Sequence, residues 1–232
     1  MVFDSGIDLL FPPRCAVCDG LLKLGERGIC EECKDKLPLV EEPRCFRCGK
    51  HIEEPEEEYC GDCRKREHRF RRGFPLYHYV PPVSDALAAM KYHGRAEYAA
   101  FYGGRLAETY GELWKELGIK CLVPVPVHPG RLRKRGYNQA KLLAEAIAGA
   151  TGIPMRNDLL RRIKATTAQK KLSREKRSLN LCRAFQPGES SAPDRVLLVD
   201  DIYTTGATAD ACAGVLLGMG AAEVYVTTVC CQ

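Results

Sequence analysis

Four CxxC pairs crowd the first 63 residues of this 232-residue chain: Cys15-x-x-Cys18, Cys30-x-x-Cys33, Cys45-x-x-Cys48 and Cys60-x-x-Cys63. Each pair makes a tight knuckle that turns two thiolates toward one ion, and two knuckles complete a tetrahedral Cys₄ zinc site. The two pairs of each half are equally spaced, which makes the segment an internal repeat. The spacing predicts one zinc site from Cys15, Cys18, Cys30 and Cys33 and a second from Cys45, Cys48, Cys60 and Cys63. An interleaved pairing, first knuckle with third, stays open as the alternative. The segment has few large apolar residues, so bound metal must supply its folding energy. A thioredoxin-type redox role fails because no βαβ pattern surrounds any pair. A closed Cys₄ site is structural rather than catalytic. His51 and His68 are surplus to both sites and read as surface residues.

The remaining five of thirteen cysteines, Cys121, Cys182, Cys212, Cys230 and Cys231, are scattered and read as small buried hydrophobes. The N-terminus MVFDSGIDLLFPP carries acids and lacks a basic n-region, so no signal peptide is expected. Its Ile7, Leu9, Leu10 and Phe11 can make one amphipathic turn. No apolar run approaches the ~20 residues of a membrane span, so membrane insertion is not expected. The expected location is the cytoplasm, where thiols stay reduced. The length allows one large or two modest domains. We divide it into residues 1–72, a double zinc ribbon with the basic linker RKREHRFRR (Arg64 to Arg72), and residues 73–232. The linker can contact a phosphate backbone or be a solvated charged connector, and both readings stay open. A net charge of +5 suits phosphate-bearing ligands without itself arguing for nucleic acid.

From residue 73 the apolar pattern alternates between strands and helices. Strands are predicted at 74–80, 120–127, 158–163, from 196, and at 223–229. Helices are predicted from Ser84, as a cap, to Gly94, over 97–117, over 138–150 and to about Gly220. This order predicts an α/β fold with a mainly parallel sheet and helices on its faces. Ligands of such sheets sit at the carboxyl ends of the strands. Two loops lie there. In VLLVDDIYTTGAT a buried strand leads into Asp200 and Asp201, then Thr204, Thr205, Gly206, Ala207 and Thr208 before a helix. Backbone N–H groups at a helix N-terminus suit a phosphate, and adjacent carboxylates suit ribose hydroxyls or Mg²⁺. The second loop, after Val125, places Arg131, Arg135, Gly136, Tyr137 and Asn138 ahead of another helix, an arrangement suited to a pyrophosphate. The polar, basic stretch 164–183 predicts a lid.

The hydrophobic strand, Asp200-Asp201, Thr204-Thr205-Gly206 and Thr208 together resemble the 5-phosphoribosyl-1-pyrophosphate (PRPP) signature of type I phosphoribosyltransferases. With the four CxxC pairs, LFPPRCAVC, MKYHGR (90–95), VPVPVHPGRLRKRGYNQA (123–140) and QKKLSREKRSLNLCRAF (169–185), the whole chain is similar to the ComF (GntX-like) family of competence-associated phosphoribosyltransferase-like proteins. The resemblance implies a type I phosphoribosyltransferase fold behind a zinc-bearing module, two structural Zn²⁺, and PRPP with Mg²⁺ as ligand. It also implies a link to DNA uptake in natural transformation. Asp200, Asp201, Arg131 and Arg135 would carry the chemistry. Three functions follow as expectations. One is an enzyme transferring phosphoribosyl groups. Another is a non-catalytic PRPP sensor that binds single-stranded DNA or competence-machinery proteins, with Phe70, Phe74 and Tyr77 as stacking groups. The third is a nucleotide-salvage enzyme with a zinc appendage.

Overall fold

The computed structural model of the chain describes residues 12–163 and 184–232. The expected N-terminal turn over Ile7 to Phe11, Cys182, and the expected lid over 164–183 lie outside the described residues. Beyond the knuckles come β1 (Arg72–His78), α1 (Val83–Tyr92), α2 (Tyr98–Glu116) and β2 (Cys121–Pro124). They are followed by α3 (Pro129–Arg135), α4 (Gln139–Thr151), β3 (Leu160–Arg162) and β4 (Phe185–Pro187). The chain ends with β5 (Arg195–Tyr203), α5 (Ala207–Gly218) and β6 (Glu223–Cys231).

Four strands form the main sheet in the order β1-β6-β5-β2, every pair parallel. A parallel strand is covered on both faces, so its sequence is apolar throughout. That is what β5 shows. Leu197 and Val199 join α1, α2 and α4 in one apolar cluster, while Val196 and Leu198 join α5 in another. The expected fold class, a mainly parallel α/β sheet with helices on its faces behind a cysteine module, is therefore the observed one.

Several expected elements are corrected. The segment 158–163 does not join the main sheet; Leu160–Arg162 pairs antiparallel with Phe185–Pro187, a strand that the apolar pattern was too short to reveal. Arg131 to Arg135 lie on a helix and not in a loop, because His128 caps its start and Pro129 sits at its first turn. Ser84 caps nothing; Pro82 occupies the cap of α1. Within α2, a Cβ on Gly103 would lie 2.6 Å from Ala146 Cβ and 2.9 Å from the Leu143 carbonyl, so its absence lets α2 and α4 cross closely.

The two knuckle pairs pack differently. Cys15 and Cys33 form a small cluster with Phe101 of α2, and the Tyr102 hydroxyl donates to the Ala16 carbonyl at 2.9 Å. Cys45 and Cys48 belong to the large cluster that also holds Phe70, Tyr203 and Ala209. Backbones touch there. The Gly73 amide donates to the Arg47 carbonyl at 2.7 Å, and a Cβ on Gly73 would lie 2.5 Å from the Cys48 carbonyl. Phe70, Phe74 and Tyr77 are fully buried, so none can stack on a base; their apolar rings fill the core that the sheet and ribbon share. No described helix is long and apolar enough to cross a membrane.

Candidate functional site

β2 pairs with β5 only from Cys121–Val196 to Pro124–Val199, and the Val125 amide makes the last bond, to the Val199 carbonyl. Pro124 and Pro126 lack the N–H groups that further pairing needs. β5 continues to Tyr203 against β6 alone. Asp200 and Asp201 thus sit on β5 just past the end of its neighbour, where the sheet opens into a crevice. A pocket of about 110 Å³ there is lined by residues that include Val125, Asp200, Thr204, Thr205, Gly206 and Thr208.

Gly206 caps α5 with φ of 74°. A Cβ at Gly206 would be strained in the left-handed region and would lie 2.5 Å from the Tyr203 hydroxyl. Among the described residues, no group accepts from the amides of Thr204 to Ala207, and none bonds the hydroxyls of Thr204, Thr205 or Thr208. The loop lines the crevice at the N-terminus of α5, where the helix dipole favours negative charge.

The acid pair is unequal. Lys91 Nζ lies 2.6 Å from Asp201 Oδ2, and both side chains are more than four-fifths buried. The Asp201 amide donates to Asp200 Oδ1 at 2.9 Å. Burial first, then the neighbouring Asp201 charge, push Asp200 up to about 7. Asp200 therefore ionises in the folded chain only well above its ordinary value, so the ligand-free protein is expected to lose stability as pH rises from about 4 to about 7. A ligand that needs the Asp200 carboxylate is expected to bind more tightly as pH rises from about 6 to about 8, then level off. Titrations at fixed ionic strength check both signs, and an affinity that falls over that window contradicts the assignment.

Arg131 is exposed on α3 and lies close enough to repel Arg162 of β3, which also feels Asp200. Burial, followed by Arg131, holds Arg162 below the usual guanidinium range. Arg135 donates to Gln139 Oε1 at 3.1 Å and stacks over Tyr92, its carbon 5.4 Å from the ring centroid. Gly136 ends α3 in the left-handed conformation, and the Tyr137 hydroxyl donates to the Met90 carbonyl at 2.6 Å. Asn138 caps α4 and donates to the Val125 carbonyl at 3.0 Å, which ties the start of α4 to the end of β2. Ala207 opens α5. The C-terminal end of α1, the α3–α4 junction and the Asp pair are thus bound into one rim.

Lys91 and Arg162 were not singled out from the sequence. Lys91 lies in MKYHGR, and a lysine four residues beyond the buried Leu87 on one helix face was the available signal. His68, expected at the surface, is almost fully buried: Nδ1 donates to Asp210 Oδ2 at 2.8 Å and the ring packs on Phe70. Three of the six linker cations pair within the fold, two of them at exposed side chains. Arg66 donates to the Thr205 carbonyl, Arg64 pairs with Glu57 and Arg71 with Glu223.

The cysteines form two groups, Cys15, Cys18, Cys30 and Cys33, and Cys45, Cys48, Cys60 and Cys63, with ligand atoms within 4.8 Å of one another in each. Sulfurs of separate knuckles lie 3.8 Å (Cys18–Cys30) and 3.6 Å (Cys48–Cys60) apart. Tetrahedral zinc with Zn–S of ~2.3 Å requires sulfurs about 3.8 Å apart, so both donor sets fit zinc. The consecutive pairing is observed and the interleaved one is not.

Residues 6–64 match the double zinc ribbon domain family. The chain is 30% identical over 219 residues to Competence protein F of Haemophilus influenzae, covering 92% of this chain and 94% of that one. It is 30% identical over 225 residues to the DNA utilization protein YhgH of Salmonella typhimurium, covering 96% and 98%. It is 30% identical over 152 residues to Competence protein ComFC of Bacillus subtilis, covering 66% and 60%. A purine phosphoribosyltransferase structure from Pyrococcus horikoshii overlaps 57% of this chain and 70% of that one, at 16% identity and a TM-score of 0.34. The fold class rests on the strand order above and not on that overlap.

Proposed function

The chain belongs to the ComF family of competence-associated phosphoribosyltransferase-like proteins, and from that membership we propose that it binds PRPP with Mg²⁺ and transfers the phosphoribosyl group. The observation that carries the reading is the placement of Asp200 and Asp201 past the end of β2, directly before a helix N-terminus whose amides and hydroxyls have no described partner. The Thr204–Thr208 loop takes the 5-phosphate. Asp200 and Asp201 accept from the ribose hydroxyls. Arg131 and Arg135, with the backbone at Gly136 and the adjoining Tyr137 and Asn138, face the pyrophosphate.

In transfer, the bond from the ribose C1 to the pyrophosphate oxygen breaks, and that electron pair leaves with the pyrophosphate. Positive charge then spreads over C1 and the ring oxygen until an acceptor forms the new bond. Ionised Asp200 and Asp201 favour that charge, while the arginines favour the departing anion. Two adjacent carboxylates are hard oxygen donors that fit Mg²⁺, and Lys91 already neutralises one of them. When bound, Mg²⁺ would add charge neutralisation at the pyrophosphate. Pyrophosphate release from PRPP, screened across bases, amines and DNA, tests transfer. Release above background with one acceptor class is expected, and none with any acceptor despite PRPP binding would leave a sensor.

The names of the relatives tie them to competence and DNA utilization, and we propose the same link for this chain, acting in the cytoplasm through other competence proteins. Its expected stacking rings are buried and three of its six linker cations are paired within the fold. Alone, the chain is expected to bind an oligonucleotide no tighter than the non-specific range of ~10⁻⁴–10⁻⁶ M at physiological salt. A tighter isotherm with a steep salt slope would overturn this.

A further inference from the structure

The zinc module reaches the phosphate loop directly. Both oxygens of Asp210, in the first turn of α5, are taken by the linker: Oδ2 by His68 Nδ1 at 2.8 Å and Oδ1 by the Arg69 amide at 2.9 Å. Asp210 in turn donates its amide to the Gly206 carbonyl at 2.8 Å. Arg66 donates to the Thr205 carbonyl at 3.3 Å. Beneath the loop, the His68 ring and the Tyr203 hydroxyl fill the space a Cβ on Gly206 would need. Tyr203 meets Phe70 edge to face with centroids 6.0 Å apart, and Lys50, two residues past Cys48, lies 5.5 Å from the Tyr203 centroid. The Arg47 side chain donates to the Phe70 carbonyl at 2.8 Å. From Cys48 to Thr205 the contacts are continuous. The first cluster touches α2 instead and has no such path among these contacts.

We infer that the second zinc ribbon and the linker are the floor of the Thr204–Thr208 loop, with His68 its positioning residue. The loop's conformation, and hence its hold on an anionic ligand, depends on the metal of Cys45, Cys48, Cys60 and Cys63 and not on the metal of the first cluster. The identity of the ligand rests on the PRPP reading; the coupling itself does not. Loop amides can grip a phosphate only if they converge before it arrives, since ordering them on binding costs affinity. A buried hydrogen-bonded pair such as His68–Asp210 fixes that geometry, and removing one partner leaves the other buried and unsatisfied.

Amide hydrogen exchange on the ligand-free full chain tests this without PRPP. His68→Ala is expected to speed exchange across 203–210 at least tenfold, while the β2 peptide 121–125 is unchanged and two zinc ions per chain remain. His68→Asn, which keeps a donor near the Nδ1 position, should restore most of the protection. Arg66→Ala, at a half-buried side chain with a longer, 3.3 Å bond to the loop, should speed exchange less. Cys48→Ser with Cys60→Ser should open 203–210 together with the core that Cys48 shares, so His68→Ala carries the local test, and Cys18→Ser with Cys30→Ser should leave 203–210 protected. PRPP affinity in His68→Ala should fall about tenfold, the scale of one lost hydrogen bond to a charged group. Unchanged exchange at 203–210 in both His68→Ala and Arg66→Ala, or equal opening by loss of either metal, would overturn the inference. Failure of wild type to bind PRPP would instead remove the functional reading and leave the exchange result to decide the coupling.

Discussion

Cys45→Ser with Cys48→Ser is expected to cost the chain its global fold, whereas Cys18→Ser with Cys30→Ser should cost only the first knuckle pair. Structural zinc contributes about 10–16 kcal/mol of apparent binding energy in small zinc modules, as much as the ~5–15 kcal/mol net stability of a whole domain. The position of each cluster decides how far the loss spreads. Cys45 and Cys48 lie in the apolar cluster that also contains Phe70, Val123, Leu198 and Tyr203, so unpicking them opens one face of the main sheet. The first cluster's buried cysteines share theirs with Val17 alone, packed on Phe101. Metal analysis with circular dichroism and thermal unfolding checks this. Each double variant should hold one zinc per chain, and only the Cys45/Cys48 variant should lose its cooperative transition. Equal melting of the two would contradict the asymmetry.

Asp200→Asn and Asp201→Asn are expected to abolish ligand binding by different routes. Two lost hydrogen bonds to charged acceptors, at about 1.5–3 kcal/mol each, weaken binding in the double variant by at least ~100-fold. Their effects on the ligand-free protein should have opposite signs. Asp200 is penalised by burial and by Asp201, so Asp200→Asn removes a strained charge and should stabilise the fold near neutral pH. Asp201→Asn strands the Lys91 ammonium in a site where both side chains are mostly buried, and breaking such a pair costs about 3–5 kcal/mol. A stabilised Asp200→Asn that still fails to bind PRPP separates ligand recognition from folding. If Asp200→Asn binds as well as wild type, the ribose assignment is wrong.

The parts of this architecture written in local patterns were legible. The apolar run from Val196 announced a buried parallel strand, and equal spacing of the CxxC pairs announced the consecutive cysteine clusters. The invisible parts depend on contacts between distant residues. Lys91 and Asp201 are 110 positions apart, and nothing in a lone helical lysine names its partner. His68 looked like one charge among many in RKREHRFRR; only the packing of the ribbon against α5 buries it. The same packing removed Phe70, Phe74 and Tyr77 from any binding surface. The strand at Leu160–Arg162 was legible, but its partner β4 escaped because a three-residue strand carries no usable period, and their antiparallel pairing spans the stretch 164–183. The basic run after His128 read as a loop because charge masked a capped, Pro-initiated helix.

Calorimetric titration of PRPP into the zinc-loaded full chain, with and without Mg²⁺, decides whether the crevice at Asp200 and Asp201 is a PRPP site. One saturable site per chain is expected, tighter with Mg²⁺ and at about pH 8 than at about pH 6, and lost in the Asp200→Asn, Asp201→Asn double variant. No saturable heat up to millimolar PRPP in the presence of Mg²⁺, or binding that survives the double substitution, would contradict it.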